Sequence, residues 1–498
     1  MAKQRSFMNA VKWAYTANWG ERAFSALFTF VLAALLGPRD FGIITIAMIY
    51  IMFIQMFLDQ GLMTALIQRK HLQGEHLDAV FWMDILLSFV LVGLSILFSR
   101  WWASLNHLPG LPSIILALSL TIPIQALSII QNALLQRELD FKSLALRSNA
   151  AVVVGGCVGI AMAFGGFGVW ALVGQQVVKD STALILLWRL SPWRPRFEFS
   201  WSHLRELMGF SVSNFVAQLG IFADMQAGAI VLGTLFGPVA VGLYRLADRL
   251  TSTVLTATTS AIHSASLPEF SRLQDQPAEL RRSVLTCIRL SSVVTLPAMA
   301  GLAAVSDPLM ATIGPKWVPA ADVLKVLCLL GLVMTFAIYT GPLLQALSRP
   351  HQLALLEWAR TIAGFICLGA AGYLVRNTSI RWEIMGIALA RFVNGALLVT
   401  PVFLYLLLRL SGISLRQLIA SLAPSVIASA SVVGSLLLFQ STGWLAASGP
   451  SILLTAEVLI GGITGLVVLL RLDTQLRLAI VAMLQRTIGS RVVSKEVV

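Results

Sequence analysis

Residues 35–42 read Leu35-Leu36-Gly37-Pro38-Arg39-Asp40-Phe41-Gly42, and residues 235–242 read Leu235-Phe236-Gly237-Pro238-Val239-Ala240-Val241-Gly242. The offset is 200 residues, and upstream in the same register Met8, Ala17, Gly20, Ala23, Val31 and Leu32 match Met208, Ala217, Gly220, Ala223, Val231 and Leu232. An ungapped match that includes a Gly-Pro pair marks an internal duplication. Glycine followed by proline ends one helix and opens the next, because proline is tolerated where a helix begins. Long apolar runs flank both copies, so each reads as a short hairpin between the first two helices of a half. Six apolar runs separate the copies, which gives them the same orientation, as in two lobes related by an axis along the membrane normal.

Composition sets the class in which such a duplication must fold. Of 498 residues, 57% are hydrophobic and 12% charged, where a soluble domain carries about 25% charged residues. The mean hydropathy is +0.82, and runs such as 43–56 and 452–470 are nearly continuous in apolar residues. A hydrocarbon core takes roughly 20 residues of helix to cross, whereas a barrel strand would alternate every second residue. The chain therefore reads as an all-α, polytopic membrane protein.

Spans are predicted near 13–36, 42–67, 80–103, 113–135, 147–165 and 168–188, then near 207–235, 239–264, 284–305, 320–347, 353–375 and 384–408. Two more near 418–439 and 451–470 bring the expected count to about 14. The implied organisation is a six-helix lobe at 1–200, a pseudo-symmetric six-helix lobe at 201–410, a helix pair at 411–475 and a cytoplasmic tail at 476–498. Lys3, Arg5 and Lys12 precede an apolar segment too long for a signal-peptide core, so the first span is retained.

An even count puts both termini on one side, and basic residues in short loops favour the cytoplasm. With the termini inside, 23 of the 36 basic residues fall in cytoplasmic segments, Arg147 among them. Five, Arg39, Arg100, Lys316, Arg376 and Arg381, lie outside. The net charge of +13 is thus mostly a topology signal, and its scatter over many loops argues against a nucleic-acid partner.

No P-loop, HExxH, CxxC or G-x-S-x-G sequence occurs, so nucleotide hydrolysis, zinc hydrolysis and hydrolase chemistry lack their local supports. The six histidines are scattered and the four cysteines lie singly in apolar runs, so neither a metal site nor a cofactor is expected. The longest outer loop, near 306–319, is too short for a catalytic lobe of a membrane polymerase or ligase. GxxxG spacings at Gly155 to Gly159 and at Gly461 to Gly465 suit helix packing.

The informative residues are ionisable groups within spans, since a charge at the bilayer centre costs at least about 2.5–3.5 kcal/mol. The basic ones are Arg22, Lys179, Arg245, Arg249, Arg289, Lys325, Arg360 and Arg391. Arg289, Lys325, Arg360, Asp84 and Glu457 read as members of interhelical ion pairs or as snorkelling groups. Arg22, Arg245 and Arg249 read as a binding set for an anionic headgroup, because guanidinium groups grip phosphate bidentately and stay charged in a dehydrated cavity. Arg245 and Arg249 share a helix face at i, i+4. Asp59, Asp224 and Asp248 are the candidates for charge balance or ion coupling.

Several segments resemble the polysaccharide transporter family, the Wzx-type flippases of lipid-linked oligosaccharides, in the superfamily that also holds multidrug exporters. They are LLGPRDFG at 35–42, Asp59-Gln60-Gly61-Leu62 through Ile67-Gln68-Arg69-Lys70, QRELDF at 136–141, GFGVWALVGQQ at 166–176 and LLWRLSPWRPR at 186–196. Asp307-Pro308-Leu309 and Gly314-Pro315-Lys316-Trp317 extend the resemblance to roughly the first two thirds of the chain. It implies a bacterial inner-membrane protein that is not an enzyme. Such a protein moves an undecaprenyl-diphosphate-linked oligosaccharide from the cytoplasmic to the periplasmic leaflet by alternating access. Membrane lipids surround it, a polymerase and export machinery use its product, and Arg22 with the arginines at 245 and 249 correspond to the cationic cavity. The alternative on the same fold is a cation-coupled exporter of small drugs or metabolites.

Overall fold

The computed structural model describes residues 20–58, 66, 74–138, 140–197, 211–443 and 449–472. Among the described residues every regular element is helical. Helix α1 (20–35) is followed by α2 (Pro38–Gln55), α3 (Gly74–Leu105), α4 (Leu111–Ser119), α5 (Thr121–Ala126) and α6 (Ile129–Arg137). Then come α7 (Phe141–Phe164), α8 (Val169–Leu190), α9 (Ser211–Phe236), α10 (Pro238–Arg272), α11 (Pro277–Ala304), α12 (Ser306–Ile313), α13 (Ala320–Met334) and α14 (Thr340–Ala346). The last are α15 (Pro350–Leu374), α16 (Ile380–Phe392), α17 (Thr400–Ser411), α18 (Leu415–Ser441) and α19 (Pro450–Leu472).

Nine of these helical stretches are long and apolar enough to cross a membrane, and eleven if each of two bent pairs counts as one span. The expected count of about 14 exceeds this by three predicted spans. Those are covered by α1, of which 16 residues are described, and by α8 and α10, which carry too many polar residues for the lipid test.

Two spans expected to be continuous are broken. The stretch 113–135 bends by 43° between Leu111–Ala126 and Ile129–Arg137, and 320–347 bends by 51° between Ala320–Met334 and Ala337–Ala346. Pro342 lacks an amide hydrogen and its ring crowds the carbonyl of Ile338, within the second interruption. Pro123 acts in the same way on Ser119 at the small break at Leu120, whereas the 43° bend falls after it, at Leu127–Ser128. The second break is bridged by a 3₁₀ turn at Ala337–Tyr339. The span 380–411 stays continuous but widens into a π-helical turn at Val393–Val399.

Chain contacts form two compact units. The first holds residues 1–245 with 361–387, and the second holds 246–360 with 388–498. In the first, α7 and α8 run together at glycine spacing. A Cβ on Gly155 would stand 2.7 Å from the Gln175 carbonyl oxygen, one on Gly159 2.9 Å from Gln175 Cβ, and one on Gly156 2.4 Å from the Phe28 ring of α1. The segment 361–387 joins this unit through Gly372, which lies against Leu235 and Val231 of α9. In the second unit Phe270, Val284, Ile288, Leu343 and Leu407 share one buried cluster, and Gly461 and Gly465 of α19 face Val432 and Leu436 of α18.

The duplicated motif closes on itself within the first unit. Each copy breaks at its glycine and restarts with proline at the first helical position. Gly237 takes a φ of +83°, whereas Gly37 has an ordinary φ of −101°. A Cβ on Gly42 would stand 1.7 Å from the Pro238 carbonyl oxygen, and one on Gly242 would stand 1.9 Å from that of Pro38. The two helix starts therefore cross reciprocally, backbone on backbone. Gly42→Ala or Gly242→Ala forces these starts apart, and overpacking costs about 1–3 kcal/mol or more. Each variant should melt at a clearly lower temperature in detergent. Gly93→Ala, with nothing within 4 Å of the added methyl, should melt like the parent or slightly higher.

Candidate functional site

The first polar cluster lies where α1, α6, α7 and α8 of the first unit meet. A Cβ on Gly20 would be 2.6 Å from Asn149 Oδ1, so α1 touches α7 one residue before Glu21 and two before Arg22. Two residues earlier on α7, the Arg147 guanidinium donates to Asn132 Oδ1 of α6. It also lies within electrostatic reach of Glu21 and Asp180. On α8, Asp180 accepts from Gln176 Nε2 at 2.9 Å and sits 3.6 Å from Lys179 Nζ. Lys179 in turn donates to Gln176 Oε1 at 3.1 Å. The glycine spacing of α7 against α8 presses Gly155 to Lys179, at 2.8 Å between Cβ positions, and so fixes the depth of that lysine.

The second arrangement belongs to α9 and α10. Arg245 Nη2 donates to Gln226 Oε1 at 2.8 Å, two residues beyond Asp224 on α9. Gln226 is buried, and Gly228 two residues nearer the hairpin lets the Tyr244 hydroxyl approach to 2.9 Å of its Cβ position. Farther along α10, in the second unit, Asp248 is half-buried and Arg249 is exposed. Beyond them Thr253, Thr256 and Ser264 donate to the carbonyls of Arg249, Ser252 and Ser260 at 2.6, 2.7 and 2.8 Å. These hydroxyls satisfy themselves on their own helix, which lets α10 stay helical while presenting a polar surface. A charge on such a surface is disfavoured against lipid by several kcal/mol.

Of the residues singled out from sequence, Arg22, Asp224 and Arg245 lie in the first unit and Asp248 and Arg249 in the second. Arg22, Asp224 and Arg245 are half-buried. Asp59 lies outside the described residues. Sequence reading missed Arg147, assigned to a cytoplasmic segment. The structure places it inside a 23-residue apolar helix, 142–164. Its signal was available in the polar residues Asn132, Asn149, Gln175 and Gln176, which recur near it on three predicted spans. Lys325 makes the expected interhelical ion pair, with Asp307 at 2.7 Å, whereas Arg360 pairs within its own helix, with Glu357 three residues earlier at 3.0 Å.

The motifs that carry the family resemblance do structural work elsewhere. Gly168, at φ +54°, caps α8 with its Cβ position 3.6 Å from Asp40 Oδ1, joining two motifs. The strap at 191–197 is pinned at Arg196, whose amide donates to Asp78 at 2.8 Å and whose carbonyl accepts from Trp82 Nε1 at 2.7 Å. Arg194 closes it over the Trp188 ring at 5.6 Å.

The sequence profile of the family described as "Polysaccharide biosynthesis protein" matches residues 31–322. The chain belongs to that family. Among curated relatives, this polysaccharide biosynthesis protein is 26% identical to the succinoglycan biosynthesis transport protein ExoT of Rhizobium meliloti (strain 1021), covering 73% of each chain. It is 24% identical to the lipopolysaccharide biosynthesis protein WzxC of Escherichia coli (strain K12), covering 70% of this chain and 72% of that one. Its fold is that of the lipid II flippase MurJ in an inward closed conformation, with a TM-score of 0.72 at 15% identity over 93% of this chain and 99% of that one. An inward-facing multidrug MATE transporter follows at TM-score 0.62 and 18% identity, over 80% and 98%. As in the sequence motifs, the family match ends soon after Trp317.

Arg147 tests the first cluster. Arg147→Met strips the counter-charge from Glu21 and Asp180 and leaves Asn132 without its donor. An unsatisfied buried polar group costs about 1–3 kcal/mol, and more when charged. Thermal unfolding in detergent should show a loss of at least that size, and adding Asp180→Asn should recover part of it.

Proposed function

We propose that this family member is a flippase for an undecaprenyl-diphosphate-linked oligosaccharide, moving it from the cytoplasmic to the periplasmic leaflet of a bacterial inner membrane. The flipped unit feeds synthesis of an exopolysaccharide or an O-antigen-like polysaccharide. The observation that carries this reading is the set of arginines at 22, 245 and 249 on long helices, in a chain of apolar spans whose family and curated relatives belong to polysaccharide synthesis. The chain is a transporter and performs no bond-making chemistry.

In this reading α1, α8 and α10 complete a set of fourteen spans around a wet interior. Two six-helix lobes, 1–200 and 201–410, share that interior, the pair at 411–475 flanks it, and both termini are cytoplasmic. Arg22, Arg245 and Arg249 bind the diphosphate. Their planar donors match phosphate oxygens in pairs, and their charge survives partial dehydration. Asp59, Asp224 and Asp248 limit the net positive charge while the cavity is empty and provide sites for a coupling ion. The substrate biases the lobes because it satisfies cations that otherwise repel one another, and a ligand shifts a conformational equilibrium only through such a difference in interaction. The lipid tails remain among membrane lipids while the sugars pass through water, and a polymerase with export machinery takes the product.

The double variant Arg22→Ala, Arg249→Ala removes two charge-assisted contacts worth about 1.5–3 kcal/mol each. Flipping of the lipid-linked sugar, read as its accessibility in the outer leaflet of cells, should fall roughly 100-fold or more, with membrane insertion intact. Unchanged flipping removes the cavity assignment. Resistance to amphipathic cations on overexpression, with no effect on the sugar lipid, supports the exporter reading instead.

A further inference from the structure

Glu457 lies seven residues inside α19, the last described helix of the C-terminal pair, and its residue is fully buried at 0% exposure. It belongs to a stripe of i, i+4 positions, Glu457, Gly461, Gly465 and Leu469, that forms the buried face of α19. Glycine at two of these positions brings α18 close, with a Cβ on Gly465 only 3.1 Å from Val432 and one on Gly461 3.4 Å from Leu436. A carboxyl one turn before Gly461 is therefore clamped between helices, with no room to snorkel toward water.

Among the described residues no cation pairs with it. Oε1 accepts one hydrogen bond from Gln440 Nε2 of α18 at 3.0 Å, and the same amide reaches the Ala304 carbonyl of α11 at 3.5 Å. Oε2 is buried with no partner, as is the hydroxyl of Ser306 at the start of α12, a helix that packs on α19. The charged group acting on Glu457 through space is Asp307, which has the wrong sign. The nearby cation, Lys325 of α13, is engaged by Asp307 at 2.7 Å and Asp322 at 3.5 Å. The basic residue of α19 itself, Arg471, is fourteen positions away, about 21 Å along the axis. Arg289 on α11 is fifteen positions before Ala304, at a similar remove.

A carboxylate here would carry a full charge with one neutral donor, an acid as its nearest charged neighbour and hydrocarbon outside. Burying an unpaired charge costs far more than burying a neutral polar group. A metal ion would relieve the charge only with several oxygen ligands. The amide of Gln440 presents its hydrogens, and no group of three His, Cys, Asp or Glu residues occurs among the described residues. A proton needs no coordination shell. We propose that Glu457 is a proton-binding site outside the two lobes: its carboxyl carries a bound proton that lets the C-terminal helix pair pack against α11 and α12. Gln440 holds the carbonyl oxygen of the acid, and the proton resides on the side of Oε2. Asp307, 63% exposed at its side chain and adjacent to Ser306, places an acid in contact with solvent next to the site.

The test is infrared spectroscopy of the full-length protein in lipid nanodiscs at neutral pH, with glutamate labelled by ¹³C at its carboxyl. Wild type should show the carbonyl stretch of a protonated glutamic acid, and Glu457→Gln should lose it. Glutamine keeps the shape of the side chain and the acceptor for Gln440, so the variant should fold. Gln440→Leu provides a second arm that leaves Glu457 in place. By removing the hydrogen bond to the acid's carbonyl it should shift the same band to higher frequency. Absence of the band in wild type, its survival in Glu457→Gln, or an unmoved band in Gln440→Leu each overturns the assignment. No sugar substrate enters the measurement, so its outcome is independent of the flippase reading.

Discussion

The constraint on which the first unit depends is the absence of two side chains. Where α2 and α10 begin, the position a Cβ would take at residue 42 or 242 is already occupied by the carbonyl oxygen of the opposite proline. Two copies of one motif meet through the same atoms in exchanged roles, the arrangement of an isologous contact between duplicated elements. Proline at the first helical position helps, because it has no amide hydrogen to leave unsatisfied in the crowded crossing. Close approach there carries through the unit. α1 meets α7 at Gly20 and Gly156, and α7 meets α8 at Gly155 and Gly159. In lipid, where helix association gains little from hydrophobic burial, small residues that admit backbone contact are the main source of packing attraction.

That packing explains how charge is tolerated inside. A lysine or arginine cannot be held at depth by flexible contacts, because it would drift to the interface along its own stem. Lys179 is prevented from doing so by Gly155, and Arg147 by the amide of Asn132 and the pull of Glu21 and Asp180. Helices α8 and α10 then give up the apolarity that lipid demands. What they gain is a surface on which water, and an anion within it, is a better neighbour than hydrocarbon. The polar helices and the close-packed glycines are thus two aspects of one design. Backbone contact builds a rigid wall, and polar residues of that wall hold the charges of Lys179 and Arg147 in place.

Much of this was legible in the sequence, and the failures have physical causes. The duplication, the hairpin turns, the GxxxG contacts and the interhelical ion pair of Lys325 follow from residue type and spacing alone. The bends at Leu127–Ser128 and before Pro342 were missed because hydropathy averages over a window and does not register a local break in backbone hydrogen bonding. Gly37 and Gly237 are equivalent in sequence yet only the second adopts a positive φ, a difference that residue type does not encode. Arg147 was misplaced because a cation five or six residues into a helix looks like a loop residue until its partners on α6 and α8 are known. Glu457 was expected to find an ion pair. Its neighbour among the described residues is an amide, that of Gln440, while Lys325 is held by Asp307 and Asp322.

The two bent spans show how a rigid wall can still move. Each follows a Gly-Pro turn by a comparable length of chain, so the bend recurs at corresponding places in the duplicated sequence. A helix broken by proline has fewer internal hydrogen bonds at the break, and that is where it can flex without disturbing packing on either side. Below the second break Tyr339 is fully buried and hydrogen-bonds Ser291, while Thr340 donates to the Phe403 carbonyl at 3.2 Å. The break is therefore tied to α11 and α17, not loose. The π turn at Val393–Val399 lies on the same continuous span as α17, and there Gly395 admits Leu330 of α13, at 2.4 Å from its Cβ position. A rotation of α13 at its bend must move Leu330 against that turn. The wide turn of a π segment has slack to accept it where a regular α-helix would not. The bent helix and the widened turn that faces it thus form one place in the second unit where a movement of α13 can be taken up.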